Sequence, residues 1–287
     1  MKNQHLRNIV TINFAMLCLC TSGPLGRYIN LSPPLTIWYR AALAVFVLGV
    51  FCLWKKYSFR FDFKKDGVTL FLSGFLITVH WVTYFFALQW SNVAIGMLSL
   101  FTYPIMTTLL EPVFLKTRFQ TTHLFLGGII LLGIYLLVPS FDINNTMTQG
   151  LLMGLISALS YATRNLMMKT KIGNFNGSML MFYQLMVTIV LLFPALFFYN
   201  NENVISQIPY LVFLGLITTA VGHTLFLNSF KHFTVSTASI MSSIQPIFGI
   251  VLAMIFLNEI PSWRSAIGGG LILMTVVVES LQSVKEK

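Results

Sequence analysis

The stretch Asn92–Leu132, NVAIGMLSLFTYPIMTTLLEPVFLKTRFQTTHLFLGGIILL, recurs 142 residues later as Thr234–Met274, TVSTASIMSSIQPIFGIVLAMIFLNEIPSWRSAIGGGLILM. Ten of the 41 positions are identical. Apolar residues coincide often by chance, so the weight falls on three pairs that match without a gap. Pro104-Ile105 meets Pro246-Ile247, Phe114-Leu115 meets Phe256-Leu257, and Gly127-Gly128 meets Gly269-Gly270. Proline and glycine fix backbone geometry, and their shared spacing marks an internal duplication of about half the chain.

Outward from this repeat the composition fixes the solvent. The 287 residues are 56% hydrophobic and 9% charged, whereas a soluble domain carries about 25% charged residues. Lipid must face most of this surface. The net charge of +10 does not signal nucleic acid, because the basic residues form short clusters between long apolar runs. Cys18, Cys20 and Cys52 all lie in apolar runs and read as small apolar residues, with no disulfide framework. The N-terminal apolar run lacks a small-residue cleavage site, so it is expected to be the first span rather than a leader.

A crossing helix needs about 20 apolar residues. Ten such runs are expected, at 9–29, 34–54, 67–89, 92–115, 121–139, 149–168, 178–199, 208–229, 234–257 and 264–281. The connections of one side hold fourteen basic residues, among them Lys2, Arg7, Lys55, Lys56, Arg118 and Lys287, against Arg264 on the other. Arg27, Arg40 and Arg164 fall within spans. This asymmetry predicts both termini in the cytoplasm. Five spans per half is an odd number, so the second copy is expected to enter from the opposite face. The expected fold is an all-α integral membrane protein of ten transmembrane helices in two inverted five-helix repeats, at residues 1–139 and 148–281. Inverted repeats in transporters hold their substrate near the midplane between the halves and work by alternating access.

Charged side chains within spans cost ~2.5–3.5 kcal/mol each on insertion scales and usually face a cavity or a partner. Arg40 follows Trp38 and Tyr39 about two turns into its span, too deep to reach the interface easily. It is a candidate for pairing with a substrate carboxylate; the alternative is pairing with backbone carbonyls. Phe182-Tyr183-Gln184 occupies the corresponding point of the second half. Arg27 is close enough to its span end to snorkel. Arg164 lies toward a cytoplasmic end, where anchoring at the interface competes with substrate contact. Ser99, Tyr103, Thr107 and Glu111 follow i, i+4 spacing and give one polar helix face. The same positions of the second half read Met241, Gln245, Gly249 and Ala253.

Glu111 is a candidate proton carrier or a partner of Lys116 or Arg164. His80 and His223 fall near the middle of their spans, as protonation sites or as bonded core residues. Trp38, Tyr39, Trp81, Tyr84, Tyr103, Tyr161 and Tyr183, with Gln184 and Gln245, are the candidate lining of a substrate pathway; each of the aromatics also reads as packing or an interface anchor. No metal-ligand spacing, nucleotide loop or hydrolase elbow occurs, so no metal, cofactor or catalytic residue is expected. Any energy source is a gradient, with protons the candidate ion.

Tyr84-Phe85-Phe86-Ala87-Leu88, Ser91-Asn92-Val93-Ala94 and Pro104 in the first half resemble the EamA repeat of the drug/metabolite transporter superfamily. Gln245-Pro246, Leu257-Asn258-Glu259 and Gly268-Gly269-Gly270 in the second half resemble it too. The likeness covers nearly the whole chain. It implies export of amino acids or related carboxylate metabolites through a central cavity lined mainly by spans 1–4 and 6–9, with spans 5 and 10 peripheral. It also implies a multi-pass protein of the bacterial inner membrane, with a homodimer open as an assembly. The acidic residue that usually follows the fourth helix is Glu259 in the second half, but Thr117 stands there in the first. Drug efflux, metabolite uptake, an intramembrane enzyme using His80, His223 and Glu111, and a lipid translocator or structural partner are the competing readings.

Overall fold

In the computed structural model, residues 2–116, 122–138, 142–200 and 202–285 are described. Thr117 and Arg118 therefore lie outside the described residues. The helices are α1 (Gln4–Tyr28), α2 (Pro33–Trp54), α3 (Phe63–Trp90), α4 (Val93–Leu115), α5 (Thr122–Leu137), α6 (Thr146–Lys171), α7 (Gly177–Phe198), α8 (Val204–Ser229), α9 (Val235–Phe256) and α10 (Trp263–Lys285). The described residues contain no strand. Seven helices, α1–α4 and α7–α9, are long and apolar enough to cross a membrane, which makes this a multi-pass membrane protein. The expected spans 121–139 and 264–281 fall in shorter apolar stretches, Phe125–Leu137 and Trp263–Val278. The expected span 149–168 lies in α6, whose Arg164, Lys169, Lys171 and many hydroxyl side chains keep it off that group.

The duplication read in the sequence is a duplication of backbone. The Asn92 side chain caps α4 by accepting the Ile95 N–H at 2.9 Å, and Thr234 caps α9 by accepting the Thr237 N–H at 3.0 Å. Both helices then break in mid-length, after Leu100 and after Met241, and resume at Tyr103 and Ile244. Pro104 and Pro246 sit just past these breaks, where a residue without an N–H releases the carbonyl four positions earlier. Beyond the helix ends, Lys116 (φ 57°) and Asn258 (φ 55°) adopt the same left-handed conformation. Caps and left-handed residues are each 142 positions apart.

Packing between the halves is reciprocal. α3 packs on α6 as α8 packs on α1; α3 on α7 as α8 on α2; α4 on α6 as α9 on α1. The pairs α2–α7 and α5–α10 are their own counterparts. For these pairs, exchanging the halves reproduces the contact. Close approach is obtained with small residues, as in membrane helix pairs generally. A Cβ on Gly154 of α6 would collide with Ser99 of α4, and one on Gly215 of α8 would lie 2.8 Å from the Leu43 Cβ of α2.

Candidate functional site

The breaks in α4 and α9 meet α3, α6 and α8 around a small central cavity of about 30 Å³. That is room for about two water molecules and none for a metabolite, so loading requires the surrounding helices to part. Of the residues singled out in the sequence, His80, Trp81, Tyr84, Tyr103, Tyr161, His223 and Gln245 line it. They come from α3, α4, α6, α8 and α9, positions far apart in the chain.

The lining is ordered by ring packing and hydroxyls. The His80 ring stacks on Tyr161 at 4.3 Å between centroids, and Tyr161 meets Tyr103 edge-on at 4.9 Å. The Tyr103 hydroxyl hydrogen-bonds Ser242 in the break of α9, tying the two broken helices together. Ser157 Oγ donates to the His80 carbonyl at 2.9 Å and lies 2.7 Å from His80 Nδ1. A hydroxyl has one proton, so Ser157 must accept from Nδ1–H, which assigns that tautomer and leaves Nε2 as the acceptor. His223 packs against the Trp81 ring at 5.2 Å, and its Nδ1 is buried without a partner.

Arg40 is wholly buried and its guanidinium stacks on Trp81, 4.4 Å from the ring centroid. Its Nε donates to Thr219 Oγ1 at 2.5 Å, while Nη1 and Nη2 have no partner. The acceptor comes from an unusual backbone: Leu214–His223 of α8 is a π-helix, and Thr219 Oγ1 in turn donates to the Leu214 carbonyl at 2.8 Å. Such widened turns are rare and frequent at functional sites. Gly215 in that run lets α8 approach the backbone of Arg40 itself. Cation–π contact contributes about 2 kcal/mol when desolvated, short of the several kcal/mol that a buried unpaired ion costs. Four N–H donors of one cation thus stand unused beside the cavity.

Arg164 does not anchor at an interface. It is wholly buried, donating to Gln184 Oε1 at 2.7 Å and to Asn165 Oδ1 at 3.0 Å, with Met181 Sδ at 3.6 Å. Gln184 is accordingly the partner of Arg164 and is absent from the cavity lining. Trp38 and Tyr39 pack on each other at 5.1 Å, and Tyr183 packs on Phe61 at 5.1 Å; none reaches the cavity. Glu111 accepts from Ser236 of α9 rather than pairing with Lys116 or Arg164. Arg27 pairs with Glu259 at 2.7 Å instead of snorkelling. Among the described residues no three His, Cys, Asp or Glu side chains converge as metal ligands. Ser157 and Thr219 escaped the sequence reading because a single hydroxyl in an apolar run is commonplace. The face Ser157, Tyr161, Arg164 at i, i+4, i+7 was the legible clue.

A duplicated bundle of membrane-crossing helices enclosing a polar cavity, with cations buried beside it, defines the class of multi-pass membrane transporters. The chain belongs to the EamA-like transporter family, which matches twice, over residues 6–138 and 148–281. An uncharacterized transporter of Archaeoglobus fulgidus is 26% identical over 216 residues, covering 75% of this chain and 77% of that one. The uncharacterized transporter YwfM of Bacillus subtilis is 24% identical over 225 residues, covering 76% and 75%. A crystal structure at 17% identity aligns with a TM-score of 0.73 over 98% of this chain and 99% of its own, a likeness of fold.

Proposed function

We propose that this transporter exports small carboxylate metabolites, amino acids or compounds related to them, by alternating access. The observation that carries the reading is Arg40, wholly buried beside the cavity with Nη1 and Nη2 unpartnered. A guanidinium presents a planar fork that matches a carboxylate. Trp81, Tyr84, Tyr103 and Tyr161 supply the apolar walls for the rest of the molecule. In this reading all of α1–α10 cross the bilayer, the second half is inverted, and both termini face the cytoplasm of a bacterial inner membrane. The reciprocal packing of the halves and the one-sided distribution of Lys and Arg support that topology. The cavity, too small for a metabolite, is then a contracted state between two open ones. His80 and Glu111 are the candidate proton sites, and the substrate leaves chemically unchanged.

The test uses inside-out vesicles, whose cytoplasmic face meets the medium, with labelled amino acids and other metabolites offered with and without a proton gradient. Uptake of an unchanged carboxylate compound by wild type, lost in Arg40→Ala, is the expected result. Equal movement of neutral or cationic compounds in both proteins, with carboxylates ignored, overturns it and favours drug efflux.

A further inference from the structure

The charges around the cavity do not balance for a singly charged substrate. Arg40 of α2 and Arg164 of α6 are both wholly buried. Of the acidic residues Asp62, Asp66, Glu111, Asp142, Glu202 and Glu259, none is buried: Asp66, Glu111 and Glu259 are partly exposed, and Asp62, Asp142 and Glu202 are exposed. The partners of Arg164 are an amide, a second amide and a thioether, all neutral, so three of its five N–H donors are engaged while its charge is not met. Arg40 has a neutral hydroxyl and an aromatic face. Among the six carboxylates just named, these two cations in a medium of low dielectric therefore find no fixed counter-charge.

Their placement relates both to the same cavity. Arg164 lies one helical turn beyond Tyr161 on the face of α6 that also carries Ser157, the bonding partner of cavity-lining His80. Arg40 lies against Trp81, the residue after His80. Arg40 is seven residues from Pro33, where α2 begins, and Arg164 is seven residues from Lys171, where α6 ends. In the proposed topology those two helix ends face opposite sides of the membrane, so the arginines bracket the cavity along the bilayer normal.

We propose that the substrate carries two anionic groups, one received by Arg40 and the other directed toward Arg164. This rests on the carboxylate reading above and sharpens it. An ammonium group finds no buried carboxylate here, whereas a small dianion neutralises both guanidinium groups when the helices open to admit it. Arg164 then meets the dianion on the cytoplasmic side and Arg40 on the outer side.

The test compares dianions with their singly charged methyl esters on the purified full-length protein in nanodiscs. The probes are succinate and glutarate, each against its monomethyl ester, with binding followed by calorimetry. A second charge-assisted contact predicts a preference of about ten- to a hundredfold for the dianion. Arg164→Gln, which keeps a polar side chain beside Gln184, should bring each pair of affinities together, and Arg164→Lys should restore part of the preference. Absence of any preference in wild type overturns the inference without recourse to a variant. So does a preference that survives in folded Arg164→Gln. Equal binding of dianion and monoester, lost in Arg40→Ala, leaves the carboxylate reading standing while this one falls. If neither member of any pair binds, this inference falls, and the carboxylate reading is judged by the vesicle uptake described above.

Discussion

Arg27 of α1 and Glu259, in the connection from α9 to α10, meet at 2.7 Å, and the same carboxylate accepts the Val93 N–H at 2.8 Å. Arg27 also donates to the Gln89 carbonyl at 2.8 Å and lies 3.4 Å from that of Leu88. One ion pair thus ties the end of α1, the α3–α4 turn and the far end of the second half. The arrangement has a partial counterpart: Lys169, 142 residues after Arg27, donates to the Phe230 carbonyl, 142 residues after Leu88. The acid itself is not duplicated, since Thr117 stands in place of Glu259.

The pair is partly exposed, with side chains 34% and 22% accessible, so its worth lies between a surface pair and a buried one. Removing it by Glu259→Gln is expected to cost about 1 kcal/mol after screening. Thermal unfolding of the purified protein measures this. Arg27→Glu should cost more, by setting two carboxylates together, and Arg27→Glu/Glu259→Arg should recover part of that loss. Strict additivity of the two single changes would show that the residues do not interact.

Thr219→Val removes the acceptor of Arg40 Nε and leaves a third guanidinium edge unpaired. Burying an orphaned donor of a charged group costs about 1–3 kcal/mol, so a lower unfolding temperature is expected. Thr219→Ser keeps the hydroxyl and should behave as wild type. If position matters to substrate as well, carboxylate affinity in folded Thr219→Val falls while that in Thr219→Ser does not. Equal stability of the valine and serine variants would mean the bond contributes nothing.

The fold was legible because it is written in features of backbone and charge. Pro104 and Pro246 announce the breaks of α4 and α9. Seven of the proposed lining residues were legible as polar or aromatic side chains in apolar runs, since lipid tolerates few of them without reason. Which of them converge was not legible. Trp38, Tyr39 and Arg40 are consecutive, yet a helix advances 100° per residue and turns only some of them toward one neighbour. Gln184 and Arg164 are twenty residues apart, and their bond depends on how α6 crosses α7. Gly127-Gly128, so clear a mark of the duplication, have open space where a Cβ would stand. Their counterpart Gly269 would press on Leu98.

That contrast among glycines is testable. Gly154→Val places a branched side chain against Ser99 where α6 crosses α4, and overpacking of this kind costs about 1–3 kcal/mol. Gly128→Ala should be neutral or stabilising by up to about 1 kcal/mol, because alanine is the better helix former and meets nothing. A fluorescence-detected melting series on the two variants checks both signs at once. Gly154→Val melting with wild type would mean that α4 and α6 are not held at this distance.

His80 and Glu111 make separable claims to the coupling proton. His80 lines the cavity with Nε2 free to accept, its other nitrogen committed to Ser157. Glu111 lies two turns beyond Tyr103 and is bonded to Ser236, away from that lining. A group that carries a proton with the substrate must be reachable from the cavity in both open states, which favours His80. In proteoliposomes, His80→Gln should therefore abolish stimulation by a pH gradient while substrate exchange at equal pH persists. Glu111→Gln, which can keep the hydrogen bond to Ser236, should retain the stimulation. The reverse pattern would move the proton to the α4–α9 contact and make its release part of the parting of the two halves.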